Sequence, residues 1–206
     1  KDKGEPMRSV AELILKEWNQ FQQVRNEGGR ASCQNHMKEF VMNRLAQFLT
    51  WDDAMRESYY EDLTEAESVG WNLLTEKYAR MMRYTAPAQY AALCNRLPVI
   101  SEPKERLVEK IVAIQLKWQE DYARRYPRVA RGSRPTDHSA DADCVTSFET
   151  YLRCELYTYS ERTLRAYLSH AEELARRGGN MTIQNLEYMA KLYGFSSLQE
   201  MEEHSR

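Results

Sequence analysis

The sequence lacks long apolar runs. No stretch approaches the ~20 consecutive apolar residues that a helix needs to cross a bilayer. The opening residues, KDKGEPMRS, contain no apolar core of the kind that a signal peptide carries. We therefore predict a cytoplasmic protein with no membrane partner.

Cysteine pairs and metal-binding spacings are also missing. The cysteines contain no CxxC pair, so they fit neither a disulfide framework nor a zinc knuckle. They are Cys33, Cys94, Cys144 and Cys154. Residues 137–144 combine aspartates with His138, but their spacing matches neither a calcium loop nor a zinc motif. The prediction is four free thiols, no metal site and no bound cofactor.

An excess of charge of one sign is absent. The chain has 29 basic and 31 acidic residues, which gives a formal net charge of -2. A cluster of arginines between residues 124 and 134 is largely offset by aspartates between residues 121 and 143. Because binding to nucleic acid needs a concentrated positive patch, we expect nucleic acid not to be a partner.

Alternation of apolar and polar residues, the mark of a half-buried strand, is absent too. Apolar residues instead recur at intervals of three and four along most of the chain. Ser9 with Glu12, and Ser197 with Glu200, are typical of capping boxes that start helices. The pattern predicts an all-α bundle of about nine or ten helices.

Residues 127–145 interrupt this periodicity. Proline, glycine, serine and aspartate dominate there, which predicts one long loop. The chain of 206 residues is long enough to bury a core of its own. We expect a single domain over residues 1–206, with two packed halves, 1–100 and 101–206, as the alternative.

Residues 146–168 form the densest run of aromatic, apolar and charged residues at helical spacing. Thr146 with Glu149 indicates a capping box at the start of this helix. Ser160 is typical of a second helix start, so we predict a break near Tyr159.

The segment Gly28-Gly29-Arg30-Ala31-Ser32-Cys33-Gln34 joins two predicted helices and places a cysteine at a helix start. Free backbone amides and the positive end of the helix dipole favour an anion there, and they lower the pKa of a thiol. Cys33 is therefore a candidate nucleophile, with His36 one turn further as its proton acceptor. The alternative is that Cys33 is a small buried apolar residue and that the glycines only end a helix.

We expect this turn to lie beside the helix that starts at residue 146, around a shared pocket. Polar groups among apolar stripes are costly to bury alone, and pairing or a bound ligand would satisfy them. The candidate ligand-binding residues are Arg30, Ser32, Gln34, Tyr151, Glu155 and Tyr159. For Glu155, a partly buried structural ion pair is the alternative to catalysis.

Six segments in order resemble one family over nearly the whole chain. They are VRNEGGRASCQ (24–34), SYYEDL (58–63), NLLTEKYARMM (72–82), SFETYL (147–152), ELYTYSERTL (155–164) and LYGF (192–195). The family they resemble is the bacterial domain of unknown function 4125. The resemblance implies a bacterial cytoplasmic protein with no agreed catalytic residues, and a neighbouring nucleotidyltransferase-like domain in the family implies a nucleotide or RNA context. His36 stands where the family pattern has an acid, and Cys154 where it has glycine.

Three functions remain open at this point. The first is a helical ligand-binding or accessory module that recognises a small anionic molecule or a partner protein. The second is a cysteine-dependent enzyme that uses Cys33. The third is a purely structural helical partner, for example of a nucleotidyltransferase-like protein.

Overall fold

The structure is a computed structural model that describes residues 9–25, 32–142 and 145–205, without the side chains of Ser32 and Cys33. These ranges contain eleven α-helices and three short 3-10 turns. The α-helices are α1 (Val10–Gln22), α2 (Met37–Leu49), α3 (Asp53–Ser68), α4 (Leu73–Thr85), α5 (Pro87–Leu93), α6 (Glu102–Arg125), α7 (Pro127–Arg131), α8 (Phe148–Leu156), α9 (Glu161–Arg176), α10 (Met181–Leu192) and α11 (Leu198–His204). Ala142 and Val145 form an isolated bridge, and no strand occurs in the described ranges. The predicted all-α fold is confirmed.

Most helix starts carry a short polar side chain that accepts a hydrogen bond from a backbone N–H of the first turn. Because these N–H groups have no partner inside the helix, such a cap fixes where the helix begins. The caps are Ser9, Asp52, Asn72, Ser101, Ser147, Ser160, Asn180 and Ser197. At Ser9 the predicted capping box with Glu12 is complete. The break predicted near Tyr159 is confirmed, since α8 ends at Leu156 and Ser160 caps α9.

Two helix starts differ from the prediction. Ser147, and not Thr146, caps α8, because the Ser147 hydroxyl accepts the N–H of Thr150. Ser32 begins a 3-10 turn, Ser32–Asn35, and α2 starts after His36, which makes no side-chain cap. The helix start that we predicted at Ser32 is therefore a tighter turn that precedes the α-helix.

The segment predicted as a loop, residues 127–145, contains helix α7 and a 3-10 turn, His138–Ala140. Pro127 suits the first turn of a helix because it has no N–H to leave unpaired. The carboxylate of Glu202, on α11, accepts the N–H groups of Arg128 and Val129 at 2.9 and 2.8 Å. A side chain far along the chain thus caps α7, and this helix is the one that the periodicity did not predict.

The core forms around α6. This helix has 24 residues, and it packs against α8, α9 and α10. Helix α9 also packs against α3, while α2 lies between α1 and α10. The fully buried side chains at the centre include Phe48, Met55, Leu63, Val108, Ile111, Leu156, Tyr159 and Leu164. Helix α1 also packs against α4, and α4 packs against α8, so α1, α2, α4 and α8 adjoin one another.

Candidate functional site

Four charged side chains are buried between α1, α2, α4 and α8. Each lies on the core-facing side of its helix: Arg44, for example, is four residues from both Phe40 and Phe48. Their exposed fractions are 2% for Glu17, 7% for Arg44, 5% for Lys77 and 5% for Glu155. Buried charges persist only when they are paired, so their mutual geometry decides what the cluster does.

The four charges pair completely. Arg44 binds Glu17 through two N–H groups, with Nε to Oε2 at 2.5 Å and Nη2 to Oε1 at 2.6 Å. Its Nη1 lies 3.4 Å from Oε1 of Glu155, and Lys77 Nζ donates to the other oxygen of Glu155 at 3.2 Å. Two acids and two bases give this cluster a formal charge of zero. We call it the buried quartet.

Two tyrosines and one amide complete the hydrogen bonding of the quartet. Tyr59 donates to Oε1 of Glu17 at 2.9 Å, and Tyr159 donates to Oε1 of Glu155 at 2.7 Å. Gln47 donates to the same oxygen of Glu155 at 3.2 Å. Such a fully satisfied network rigidifies the elements that carry it.

Glu155 and Lys77 are held in their charged forms. Burial by itself would raise the pKa of Glu155, but Arg44 and Lys77 together hold it well below the ordinary range. Burial would likewise lower the pKa of Lys77, yet Tyr151 and Glu155 raise it above the ordinary value. At neutral pH, Glu155 is therefore no proton donor and Lys77 no base. The structural ion pair that we weighed for Glu155 is the interpretation that fits this geometry.

A cavity of about 670 Å³ lies beside the quartet. Residues of α2, α4, α6, α8 and α10 line it, together with the segment after α7. Its polar lining outside the quartet includes His36, Glu39, Asn43, Gln47, Thr50, Gln115, Gln119, Ser133, Arg134, Tyr151, Thr182 and Asn185. Pockets that hold small molecules are commonly about 300–1,000 Å³, with a few polar groups among apolar ones, and this cavity is of that size.

Two cations meet at Tyr151 in the cavity wall. Lys77 Nζ donates to the Tyr151 hydroxyl at 3.0 Å and lies 4.6 Å from the ring centroid. The guanidinium carbon of Arg134 lies 4.8 Å from the centroid of the same ring. Arg134 donates to the carbonyl of Thr146 at 3.1 Å and forms no ion pair with any residue that the structure describes. We call Lys77 and Arg134, which share this ring, the cation pair at Tyr151.

Two glutamines of α6 line the cavity one helical turn apart and differ in their bonding. Gln115 donates to the hydroxyl of Tyr167 at 2.8 Å and contacts the sulfur of Met181 at 3.3 Å. Gln119 is only 5% exposed, and its amide makes no hydrogen bond to any residue within the described ranges. Its amide atoms are not among the enclosed polar atoms without a partner, which in the described ranges are Trp51 Nε1 and Asp62 Oδ1, so the Gln119 amide opens onto the cavity.

The structure brings together only some of the predicted ligand-binding residues. Tyr151 and Glu155 line the cavity, whereas Tyr159 lies behind them, fully buried against Glu155. Gln34 is buried outside the lining, where its amide donates to the carbonyls of Phe21 and Val24 at 2.9 Å each.

The remaining candidates fall on parts of the chain that the structure does not describe. Arg30 lies outside the described residues, and so do the side chains of Ser32 and Cys33. Phe21 and His36, which stand on either side of the predicted glycine turn, do line the cavity with Tyr151 of α8. The chemistry predicted for Cys33 stays a prediction.

Several lining residues were not predicted from the sequence, namely Arg44, Lys77, Gln119 and Arg134. Arg44 and Lys77 carry a signal that was available, since each interrupts the apolar stripe of a helix. Gln119 follows Gln115 by one turn, so it shares a face with a residue of the stripe. Arg134 has no comparable signal, because its place at Tyr151 depends on the path of the loop.

Comparison with known proteins identifies the family of this chain. A family model described as "Protein of unknown function (DUF4125)" matches residues 7–203. The chain belongs to the DUF4125 family. No curated protein and no solved structure matches it. The DUF4125 description assigns no activity, so the functional argument for this member rests on its own geometry.

Within the described ranges, no three or more His, Cys, Asp or Glu side chains are grouped so as to hold a metal ion. No helix in the same part of the chain is both long and apolar enough to cross a bilayer. The cavity beside the buried quartet is therefore the candidate functional site.

Proposed function

We propose that this DUF4125 protein is a binding module that takes a small anionic molecule in the cavity beside the buried quartet. The observation that carries the proposal is the cation pair at Tyr151. Lys77 and Arg134 approach the same ring, Lys77 donates to the Tyr151 hydroxyl, and all three residues line the cavity. A carboxylate or phosphate oxygen is the ligand group that such an arrangement attracts.

The positive charge that favours an anion is confined to one part of the lining. The lining as a whole is balanced, with Arg44, Lys77 and Arg134 against three acids, Glu17, Glu39 and Glu155. The quartet neutralises itself, however, and Arg134 has no acidic partner among the described residues. Arg134 is also exposed, so its guanidinium is available to a molecule that enters from solvent. The anion would thus meet Arg134 first and Lys77 deeper in the cavity.

The frame around the cavity supports binding better than catalysis. Pairing holds the Glu155 carboxylate and the Lys77 amine in their charged forms against the effect of burial, so neither of these two groups is poised to exchange a proton at neutral pH. A rigid wall with a fixed charge pattern favours recognition, because little ordering is needed when the ligand enters.

The proposal is tested by retention of small molecules from a metabolite extract. The purified protein is incubated with the extract, desalted and examined by native mass spectrometry, which reports any bound mass. Arg134→Gln removes the exposed cation, and Arg131→Gln is its matched control, since Arg131 is an exposed arginine at the end of α7 that does not line the cavity. We expect an anionic mass on the wild type and on Arg131→Gln.

Retention on Arg134→Gln should fall by about fivefold, because an exposed charge pair is worth about 1 kcal/mol.

A second pair of variants tests whether the cavity itself holds the molecule. Asn185→Phe fills the cavity from α10, while Gln184→Phe alters a half-buried neighbour outside the lining. Retention that survives Asn185→Phe, or a wild type that holds no anion, would contradict the proposal.

A further inference from the structure

The amide of Gln119 points to the chemistry of the other end of the bound molecule. Gln119 is 5% exposed, lines the cavity and makes no hydrogen bond within the described ranges. A primary amide offers two N–H donors and one carbonyl acceptor. These groups open onto the cavity and have no partner in the described part of the protein, and polar groups that converge on a cavity in this way fix the orientation of a ligand in specific sites.

Gln115 shows what a structural glutamine looks like in the same surroundings. It lies one turn earlier on α6, is 4% exposed and also lines the cavity. Its amide nevertheless donates to Tyr167 and contacts Met181, both of which belong to the core. The two residues therefore share helix, burial and chemistry, and they differ only in whether the protein supplies a partner.

The position of Gln119 also connects it to the cation pair at Tyr151. Tyr122 follows Gln119 on the same face of α6 and lines the cavity too. Its hydroxyl lies 3.1 Å from that of Ser133, the residue before Arg134. The amide and the exposed cation thus belong to adjoining parts of one wall, which a single small molecule can touch.

We infer that Gln119 is a specificity-determining residue that binds a neutral group with both a donor and an acceptor, such as a carboxamide, on the anionic molecule held at Tyr151. This inference rests on the proposed function, because it concerns the same cavity. It narrows the ligand class to molecules that carry an anionic group and an amide-like group at a short distance. The cyclic pairing of two amides satisfies the carbonyl and one of the two N–H groups of Gln119.

The first test needs no ligand and compares the two glutamines. Gln119→Met removes an amide that has no partner in the described part of the protein and keeps a side chain of similar length, so the unfolding temperature of the free protein should not fall. Gln115→Met should unfold at a lower temperature, because it leaves the hydroxyl of Tyr167 without its amide partner. A Gln119→Met protein that unfolds at a lower temperature than the wild type would show that Gln119 is structural, and would overturn the inference.

The second test uses matched probes: succinamate, adipamate and suberamate, each with the plain carboxylate of the same chain length, namely butyrate, hexanoate and octanoate. Isothermal titration calorimetry measures their dissociation constants. For at least one length, the amide member should bind the wild type about two- to tenfold more tightly than its match, which is the effect of one hydrogen bond. In Gln119→Met this difference should vanish, while in Arg134→Gln both members should weaken together.

The outcomes separate the two proposals. If the carboxylates bind the wild type but no amide member gains affinity, the inference about Gln119 is wrong and the anion-binding function stands. If no probe of either kind binds the wild type, the anion-binding function is contradicted, and the inference fails with it. If the amide gain persists in Gln119→Met, another residue of the wall recognises the amide, and the role assigned to Gln119 is refuted.

Discussion

Replacing Glu155 by glutamine should destabilise the protein strongly. The carboxylate accepts hydrogen bonds from Lys77, Arg44, Gln47 and Tyr159, and it is 5% exposed. Glutamine keeps one acceptor oxygen but turns the other into an NH2 group that faces donors. It also leaves the buried quartet with an unbalanced positive charge.

The magnitude follows from this loss of balance. Removing one partner from a buried ion pair typically costs about 3–5 kcal/mol, because the remaining charge stays buried without compensation. For a chain of this length, such a loss corresponds to a fall of about 6–20 °C in the unfolding midpoint. Glu172→Gln is the matched control, since Glu172 is an exposed glutamate on α9 and should change stability by less than about 0.5 kcal/mol.

Urea unfolding followed by tryptophan fluorescence measures the effect, because Trp51 lies in the core beside Tyr159. A double variant, Glu155→Gln with Lys77→Gln, restores the formal neutrality of the cluster. Its destabilisation should therefore be smaller than the sum of the two single changes, by about 0.5–3 kcal/mol.

The dependence on pH supplies an independent check. The folded-state pKa of Glu155 is depressed, so its stabilising contribution is present above the unfolded-state pKa and is lost as the pH falls toward the folded one. The stability difference between wild type and Glu155→Gln should accordingly be largest at neutral pH and shrink below about pH 4. A cost under about 1 kcal/mol, or a difference that does not shrink in acid, would refute the view of the quartet as a charged structural frame.

Three further predictions concern His138, Cys154 and Cys33. The imidazole of His138 binds Glu149 at 2.8 Å, and this hydrogen bond and the charge of Glu149 raise the pKa of His138. The stability that this ion pair contributes should be fully present below the unfolded-state pKa of His138 and be lost as the pH rises through the raised folded-state pKa. Proton NMR titration of His138 should show a midpoint above the ordinary histidine range in the wild type and within that range in Glu149→Gln. The same midpoint in both proteins would contradict the pairing. Burial raises the pKa of the Cys154 thiol to about 12, so iodoacetamide should spare Cys154 in the folded protein while the less buried Cys94 reacts. In the same peptide maps, Cys33 should react below neutral pH if its position at a turn start lowers its pKa, and an inert Cys33 would remove the nucleophile of the enzyme hypothesis.

The helices were largely predictable from the sequence because their causes are local. Apolar spacing and serine caps identify α1, α6, α9 and α11, and Ser160 marks the break after Tyr159. Helix α7 was missed because its cap, Glu202, is 74 residues away in sequence from Arg128. No window of neighbouring residues contains that information.

The cavity was predictable only in part. Tyr151 and Glu155 are one helical turn apart among apolar residues of α8, so their proximity follows from helical geometry alone. The partners of Glu155 come from α2 and α4, and their meeting is a result of tertiary packing. The unpaired amide of Gln119 is likewise visible only when the neighbours of α6 are in place, since Gln115 has the same sequence signal and its amide nitrogen donates to Tyr167 and Met181.

The carboxylate of Glu202 links the tail of the chain to the wall of the cavity. It holds the N–H groups at the start of α7, and Leu198 of the same helix packs with Tyr122 and Tyr126. The segment that α7 leads into carries Arg134 to the ring of Tyr151. The smallest fragment that keeps the cavity intact must therefore extend through Glu202, and a deletion of this last turn, although remote in sequence, would disturb the cavity as directly as a change in its wall.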